Sequence, residues 1–496
     1  MAGEAIDKSS HRNRFSSQLT SPVIEELDGD AVSIQSSVMS ENSQSCIEED
    51  MVESQVPSIQ FHLVLGGQAE SMGRKSRKGS SWFAAVFLII NACLGAGLLN
   101  FPQAYDLAGG IGVAVVIQGI LIIFIFISLV VLAFCSDLNQ SATYQDVVFS
   151  MCGRRAHQIC SFVIALYCYG TCLTFLVIIG DQFDRAFASI YGKTFCHEWY
   201  MNRNFTIVVS SILFILPLCF PRRIDFLKYA SLMGVFAIVY VVVAIVYEYY
   251  FIDHSKVTIR TEPKVWTDVF YVVPVICFGY QCHVSVVPIY SCLKNRTVPN
   301  FIKSVVIALI ICIATYTFAG IYGYLSFGQS VNSDILESYS SKDAVLMTAM
   351  IALAGKTFTT YPILLFCGRT AIDGLWIDLW KMDIIDVASG ERKRRITMVS
   401  LWFTSSLLLA LIIPNISDVI QILGSLAAVF IFVFPGMCLM QANWKKDPDS
   451  KHLRTKFLIF IGGLFIVIGA FVFGLVFVQS ILLDVQGTSQ SKKLCV

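Results

Sequence analysis

The run from Trp82 to Tyr105, WFAAVFLIINACLGAGLLNFPQAY, carries no charge from end to end. A helix needs about 20 apolar residues to cross roughly 30 Å of hydrocarbon, so the run is long enough to span a bilayer. Its middle resists an unbroken helix. Gly95, Ala96 and Gly97 stand together and Pro102 follows, and in a helix interior Gly and Pro cost about 1 and 3 kcal/mol. A span that opens there exposes backbone N–H and C=O groups that lipid cannot satisfy. Discontinuous transmembrane helices put such groups to use: the positive N-terminus of one half holds a substrate carboxylate, and the unwound carbonyls hold a cation.

Only 14% of the 496 residues are charged and 55% are hydrophobic, against roughly 25% charged in a soluble domain. With a mean hydropathy of +0.67, the chain reads as an all-α polytopic membrane protein with lipid around it. A net charge of +1 argues against a nucleic-acid partner, which would require a concentrated basic face. Most of the 16 cysteines, among them Cys93, Cys168, Cys277 and Cys312, lie in apolar runs, where cysteine acts as a small hydrophobe. With no C-x-x-C pair, zinc and thioredoxin-type chemistry have no support. Neither a nucleophile elbow nor a phosphate loop is present, so an enzyme is not expected.

The first 79 residues form a separate cytosolic tail, polar, Ser-rich and acidic at Glu25, Glu26, Asp28 and Asp30. Such a segment buries too little apolar surface to offset its chain entropy, so disorder is expected, with docking of protein partners as an alternative role. A cleavable signal peptide is not expected, and the first span serves as the targeting signal. Apolar runs follow at about 82–105, 110–135, 157–184, 205–220, 226–250, 266–293, 301–326, 344–368, 396–413, 417–440 and 456–480, which predicts eleven spans. Lys and Arg concentrate in alternate loops, at Arg74 to Lys78, Arg154 and Arg155, Arg222 and Arg223, Lys294 and Arg296, Arg392 to Arg395, and Lys445 and Lys446. The positive-inside rule then puts the N-terminus in the cytosol and residues 483–496 on the lumenal or extracellular side. The sequon at Asn204 falls outside but against a span; that at Asn295 falls inside.

If the first five spans are half of an inverted repeat, the sixth should be interrupted as well. FYVVPVICFGYQCHVSVVPIY, from Phe270, places Pro274 and Pro288 around a polar centre at Gly279, Tyr280, Gln281 and His283. Matching interruptions in the two halves are the best sequence pointer to a transporter's binding site, although transmembrane helices also tolerate ordinary Gly and Pro kinks.

Five stretches carry a resemblance: Asn91-Ala-Cys-Leu-Gly95-Ala-Gly97-Leu-Leu, Ile179-Gly-Asp181-Gln182, Phe278-Gly-Tyr-Gln-Cys282-His283, Tyr322-Gly-Tyr324-Leu-Ser-Phe327-Gly328 and Ile431-Phe-Val-Phe-Pro435-Gly436. Together they resemble the sodium-coupled neutral amino acid transporters, solute carrier family 38, within the amino acid/auxin permease superfamily. The likeness covers about residues 80–482 and is greatest to the branch with a lysosomal glutamine/asparagine transporter. It implies a leucine-transporter-like fold, two inverted five-helix repeats (about 82–250 and 266–440) plus an eleventh helix (about 456–480). It also implies neutral amino acid cargo, Na+ coupling, and a lysosomal membrane with the plasma membrane as the alternative.

Gly95, Ala96 and Gly97 are expected to meet the substrate carboxylate through main-chain N–H groups, with Asn91, Phe278, Gly279 and His283 around it. Asn91 matches a family position at the sodium site, and so does Thr360, with Thr359 beside it; the bland readings are an interhelical hydrogen bond for Asn91 and bonds to the carbonyl one turn back for the threonines. Lys356 departs from the family pattern. It stands four residues before Thr360, on the same helix face, where an ammonium could replace Na+ or carry H+; a snorkelling or carboxylate-paired side chain is the alternative. His283 is a candidate pH sensor or a structural histidine. Asp181, with Asp184 and Arg185, is a candidate outer gate or an interfacial ion pair.

Overall fold

The computed structural model describes residues 80–191, 199–221, 227–255, 257–340, 343–413, 416–446 and 452–485. The expected disordered tail at 1–79 and residues 486–496 of the outer tail lie outside these. The described residues are nearly all helical. In chain order they form α1 (Trp82–Cys93), α2 (Ala96–Leu107), α3 (Ile111–Asn139), α4 (Tyr144–Cys152), α5 (Arg154–Tyr191), α6 (Arg203–Cys219), α7 (Leu227–Tyr249), α8 (Val272–Gly279), α9 (His283–Ser291), α10 (Val298–Phe327), α11 (Ile335–Ser338), α12 (Ala344–Trp380), α13 (Ile384–Ile412), α14 (Ile416–Lys446) and α15 (Leu453–Val485).

Among the described residues eight helices are long and apolar enough to cross a membrane, counting α8 and α9 together as one, and the bent pair α1–α2 makes nine. The fourth and fifth predicted spans coincide with the shorter apolar helices α6 and α7. Eleven crossings therefore go beyond what length and apolarity establish. Each half opens with an interrupted span, α1–α2 and α8–α9, as a five-plus-five arrangement requires. Two short helices have no counterpart in the hydropathy reading. α4 is capped by Thr143 Oγ1, which accepts from Asp146 N–H at 3.2 Å, and α11 is capped by Asp334, which accepts from Leu336 N–H at 2.8 Å.

Burial separates the core from the lipid-facing shell. Every residue of α8 is buried, and so is nearly all of the first half of α14, on which it packs. On the periphery, α3 exposes Val116, Ile120 and Ile123, and α15 exposes Val467 and Phe471; apolar side chains are stable there only against hydrocarbon. α12 lies along α5 and α7, and α10 along α1 and α2. The start of the first broken span and the end of the second are clipped together by main chain. Ser80 N–H donates to Cys292 O at 2.8 Å, and Lys294 N–H to Ser80 O at 3.0 Å.

Candidate substrate and cation site at the two interrupted spans

The first span stops at Cys93. Leu94 (ψ 103) and Gly95 (φ −141, ψ −161) are extended, and α2 restarts with a 3-10 turn over Ala96–Asn100, bent by 51° from α1. Any residue adopts such dihedrals, so glycine is required here for space rather than for backbone freedom. A Cβ on Gly97 would stand 3.1 Å from Gly279 Cα and 3.1 Å from Phe278 Cδ1. The two interruptions thus meet main chain to main chain. Gly95 differs: a Cβ there meets only Cys93 O, at 3.8 Å, and the space in front of it is open. Of the N–H groups that lead α2, that of Leu98 donates to Gly95 O at 3.3 Å, while those of Ala96 and Gly97 have no acceptor inside their own helix.

The freed carbonyls are taken up by side chains. Tyr316 Oη, on α10, shares its single proton between Cys93 O at 2.8 Å and Gly279 O at 2.9 Å, which bridges the two interruptions. Its ring stacks on Phe101 with centroids 4.5 Å apart. Lys356 Nζ, on α12, donates to Leu94 O at 2.5 Å. The intramembrane lysine therefore sits on a carbonyl of the break, where the sequence reading allowed it to replace a cation. Thr359 and Thr360 direct their hydroxyl protons at Lys356 O, at 2.9 and 2.8 Å, in the one-turn-back geometry weighed as the alternative to a cation site. Asn91 lies half-buried in the last turn of α1.

In the sixth span the gap falls at Tyr280–Cys282, and Pro274 and Pro288 lie inside α8 and α9, so the prolines do not make the opening. Among the described residues only the first span is bent by more than 40°. Tyr280 Oη accepts from Gln118 Nε2 at 2.9 Å; Gln118 Nε2 also reaches Thr317 Oγ1 at 3.1 Å, and its Oε1 accepts from Tyr105 Oη at 2.7 Å. This buried network ties both interrupted spans to α3 and α10. His283 is fully buried and pairs through Nε2 with Ser128 Oγ of α3 at 2.5 Å. Phe278 is buried against Tyr167. Tyr316, Gln118 and Thr317 escaped the sequence reading. Polar side chains inside apolar runs were the available signal, but it does not name their partners.

Asp181 is paired differently from the sequence expectation. Its Oδ1 accepts from Arg203 Nε of α6 at 2.9 Å, rather than from Arg185, whose guanidinium reaches Tyr339 O at 3.5 Å. The choice depends on where α6 packs on α5, which local spacing does not encode. Arg203→Ala leaves the buried Asp181 carboxylate unpaired and is expected to cost about 3 kcal/mol. A fall in the thermal unfolding midpoint in detergent, largely recovered in the Asp181→Ala/Arg203→Ala double variant, is the expected reading.

Next to this pair lies the loop carrying Asp334, whose Oδ2 accepts from Gln182 Nε2 at 2.9 Å, while Asn100 Nδ2 of α2 donates to Ser333 O at 2.9 Å. Burial, reinforced by the Asp181 charge, pushes the Asp334 carboxyl up to about 7; the same causes raise Glu337. A carboxyl raised in the folded state stabilises most when protonated. That contribution is complete below the unfolded value, about 4, and is lost as pH rises through about 7. Amide exchange in 331–339 is therefore expected to be better protected at pH 5 than at pH 8, after correction for intrinsic rates. Asp334→Asn should flatten the difference.

Two spans interrupted at matching positions, touching through glycines, with an open face on one and a cation from the chain on its carbonyl, define a multi-pass membrane protein of the discontinuous-helix class. The chain belongs to the transmembrane amino acid transporter family. The model of that family, described as "Transmembrane amino acid transporter protein", matches residues 78–482. The chain is 43% identical to "Sodium-coupled neutral amino acid transporter 7" of Danio rerio over 84% of its length and 91% of that protein. It is 41% identical to the Homo sapiens protein of the same name, over 84% and 90%, and 34% identical to "Solute carrier family 38 member 8" of Homo sapiens, over 79% and 92%. Among solved structures, "Crystal structure of MhsT in complex with L-phenylalanine" aligns with a TM-score of 0.48 and 14% identity, over 82% of this chain and all of that one.

Proposed function

We infer that the chain is a secondary active transporter of small neutral L-amino acids, glutamine and asparagine foremost, moving its cargo by alternating access around the two interrupted spans. The observation that carries this reading is the opening at Gly95, where the N–H groups of Ala96 and Gly97 lead α2, with the second interruption packed against Gly97. A zwitterion's carboxylate suits those N–H groups; Phe278 and Gly279, beside Gly97, are the candidates for reading its side chain. The names of the relatives support Na+ as the coupling ion, with Asn91 and Thr360 as its candidate ligands. A proton-coupled reading of the same fold is favoured by one observation, the Lys356 ammonium on Leu94 O. A lysosomal membrane with a cytosolic N-terminus is the favoured setting, and the 1–79 tail is left for protein partners or for a sensor role.

Counterflow in proteoliposomes tests transport without any imposed gradient. Full-length protein is expected to exchange labelled glutamine for unlabelled glutamine inside, with asparagine competing and glutamate not. Absence of exchange for every neutral amino acid tried would leave only the sensor reading, in which deleting residues 1–79 abolishes signalling.

A further inference from the structure

We propose that Cys152 and Cys438 form a redox-sensitive pair: a peroxide joins them in a disulfide that ties α4 to α14 and halts exchange, and a dithiol releases it. The effect on exchange rests on the transport reading above; the bond itself does not.

α4 and α14 run side by side in the same sense. At the start of α4, Tyr144 Oη donates to Phe430 O at 3.1 Å, and its ring packs edge-on against Phe430 and Phe434. Towards the end of α4, Ser150 O accepts from Lys445 Nζ at 2.6 Å. Cys438 lies between these contacts on α14. It follows Phe434 by about one turn and precedes Lys445 by about two, so all three share the face that α4 covers. Cys152 closes α4 two residues after Ser150. The two thiols are hydrogen-bonded to each other, and both are free.

The pair divides the work of disulfide formation. Cys152 is half-buried and Cys438 fully buried, so an oxidant reaches Cys152 first. The hydrogen bond from Cys438 holds the Cys152 thiol below its ordinary value, and the Lys445 ammonium adds to this against the effect of burial; the thiolate is the form that reacts. It attacks one oxygen of the peroxide: an S–O bond forms, the O–O bond breaks, and hydroxide leaves to take up the Cys152 proton as water. The Cys438 sulfur then attacks the sulfenic acid: the S–S bond forms, the S–O bond breaks, and a second water leaves with the Cys438 proton. Two thiols lose two electrons and one peroxide gains them. Cys135 and Cys160, both buried nearby, are the rival partners.

The bond would fall between two supports of the sixth span. α4 packs on α9, the second half of that span, and the first half of α14 packs on α8, its first half. Alternating access moves helices at the interruptions against the rest of the bundle, and a covalent link between the supports resists that motion. The basic residues at this end, Arg154, Arg155, Lys445 and Lys446, are those expected to face the cytosol, where disulfides are transient and report on oxidants.

Full-length protein in proteoliposomes, treated with hydrogen peroxide and then with dithiothreitol, provides the test. Mass-spectrometric peptide mapping without reduction should find Cys152 joined to Cys438. Glutamine counterflow should fall in step with the fraction so joined and return with dithiothreitol. Cys152→Ser and Cys438→Ala should keep the untreated exchange rate and lose its sensitivity to peroxide. Thiols that stay unlinked in peroxide, or a Cys152 joined to Cys135 or Cys160 instead, overturn the assignment. So does a linked protein that exchanges at the full rate, or variants that peroxide still inhibits. If a variant fails to insert, wild type decides: a mapped bond with reversible loss of exchange supports the pair, and unlinked thiols refute it. Wild type without counterflow before treatment strikes down the transport reading, and the peptide map then still decides whether the bond forms.

Discussion

Tyr316→Phe is expected to lose glutamine exchange by 10- to 100-fold while the protein still inserts and purifies. The substitution removes one oxygen and nothing else. Phenylalanine keeps the stack on Phe101 and the contact with Tyr280, with ring centroids now 4.9 Å apart. What disappears is the shared donor between Cys93 O and Gly279 O, through which Tyr316 grips both interruptions. A buried acceptor left without a donor costs about 1–3 kcal/mol, and each 1.4 kcal/mol is a factor of ten. That loss falls on the state in which the two breaks lie together, so it is expressed in the conformational cycle more than in global stability. Counterflow normalised to reconstituted protein, beside a thermal melt, separates the two. A full exchange rate in Tyr316→Phe would show that the bridge is not needed for the cycle.

Gly97→Val and Gly95→Ala should behave oppositely, although the two glycines are two residues apart. At Gly97 the new side chain meets Gly279 main chain at 3.1 Å, and main chain cannot rotate aside as a side chain can. Overpacking of that kind costs about 1–3 kcal/mol or more, and it pries the two interruptions apart, so exchange should fall below detection with a lowered melting midpoint. At Gly95 a methyl group enters open space, with Cys93 O the only neighbour, 3.8 Å away. The melting midpoint of Gly95→Ala should match wild type, while its apparent KM for glutamine rises several-fold because the methyl crowds the carboxylate's place. Unchanged KM in a stable Gly95→Ala protein would move the substrate away from this opening.

Much of the architecture was legible from the chain because hydrophobicity and helix-breaking are local properties. A charge-free run of sufficient length must be a helix in lipid, and Gly95 to Gly97 marked where the first span opens. The second gap, Tyr280–Cys282, falls within the polar centre from Gly279 to His283, while Pro274 and Pro288 on either side of it sit inside helices. The amphipathic α4 and the four-residue α11 are too short to register as apolar runs. Lys356 was legible as an anomaly, a charge in the middle of a span. Its partner was not, because Leu94 lies 262 residues away in the chain; Tyr316 and Cys93 are 223 residues apart. Asp181 shows the same limit at shorter range, for it passes over Arg185 on its own helix for Arg203 on the next.

By itself, then, the sequence determined which segments are apolar enough to cross lipid and which two spans cannot run unbroken, because each of these is a sum over neighbouring residues. Only the tertiary structure decided what fills the openings. A carbonyl released from a helix must find a donor wherever one is within hydrogen-bond reach, and in a bundle that donor is set by which distant helices pack together. Here those helices bring a tyrosine and a lysine.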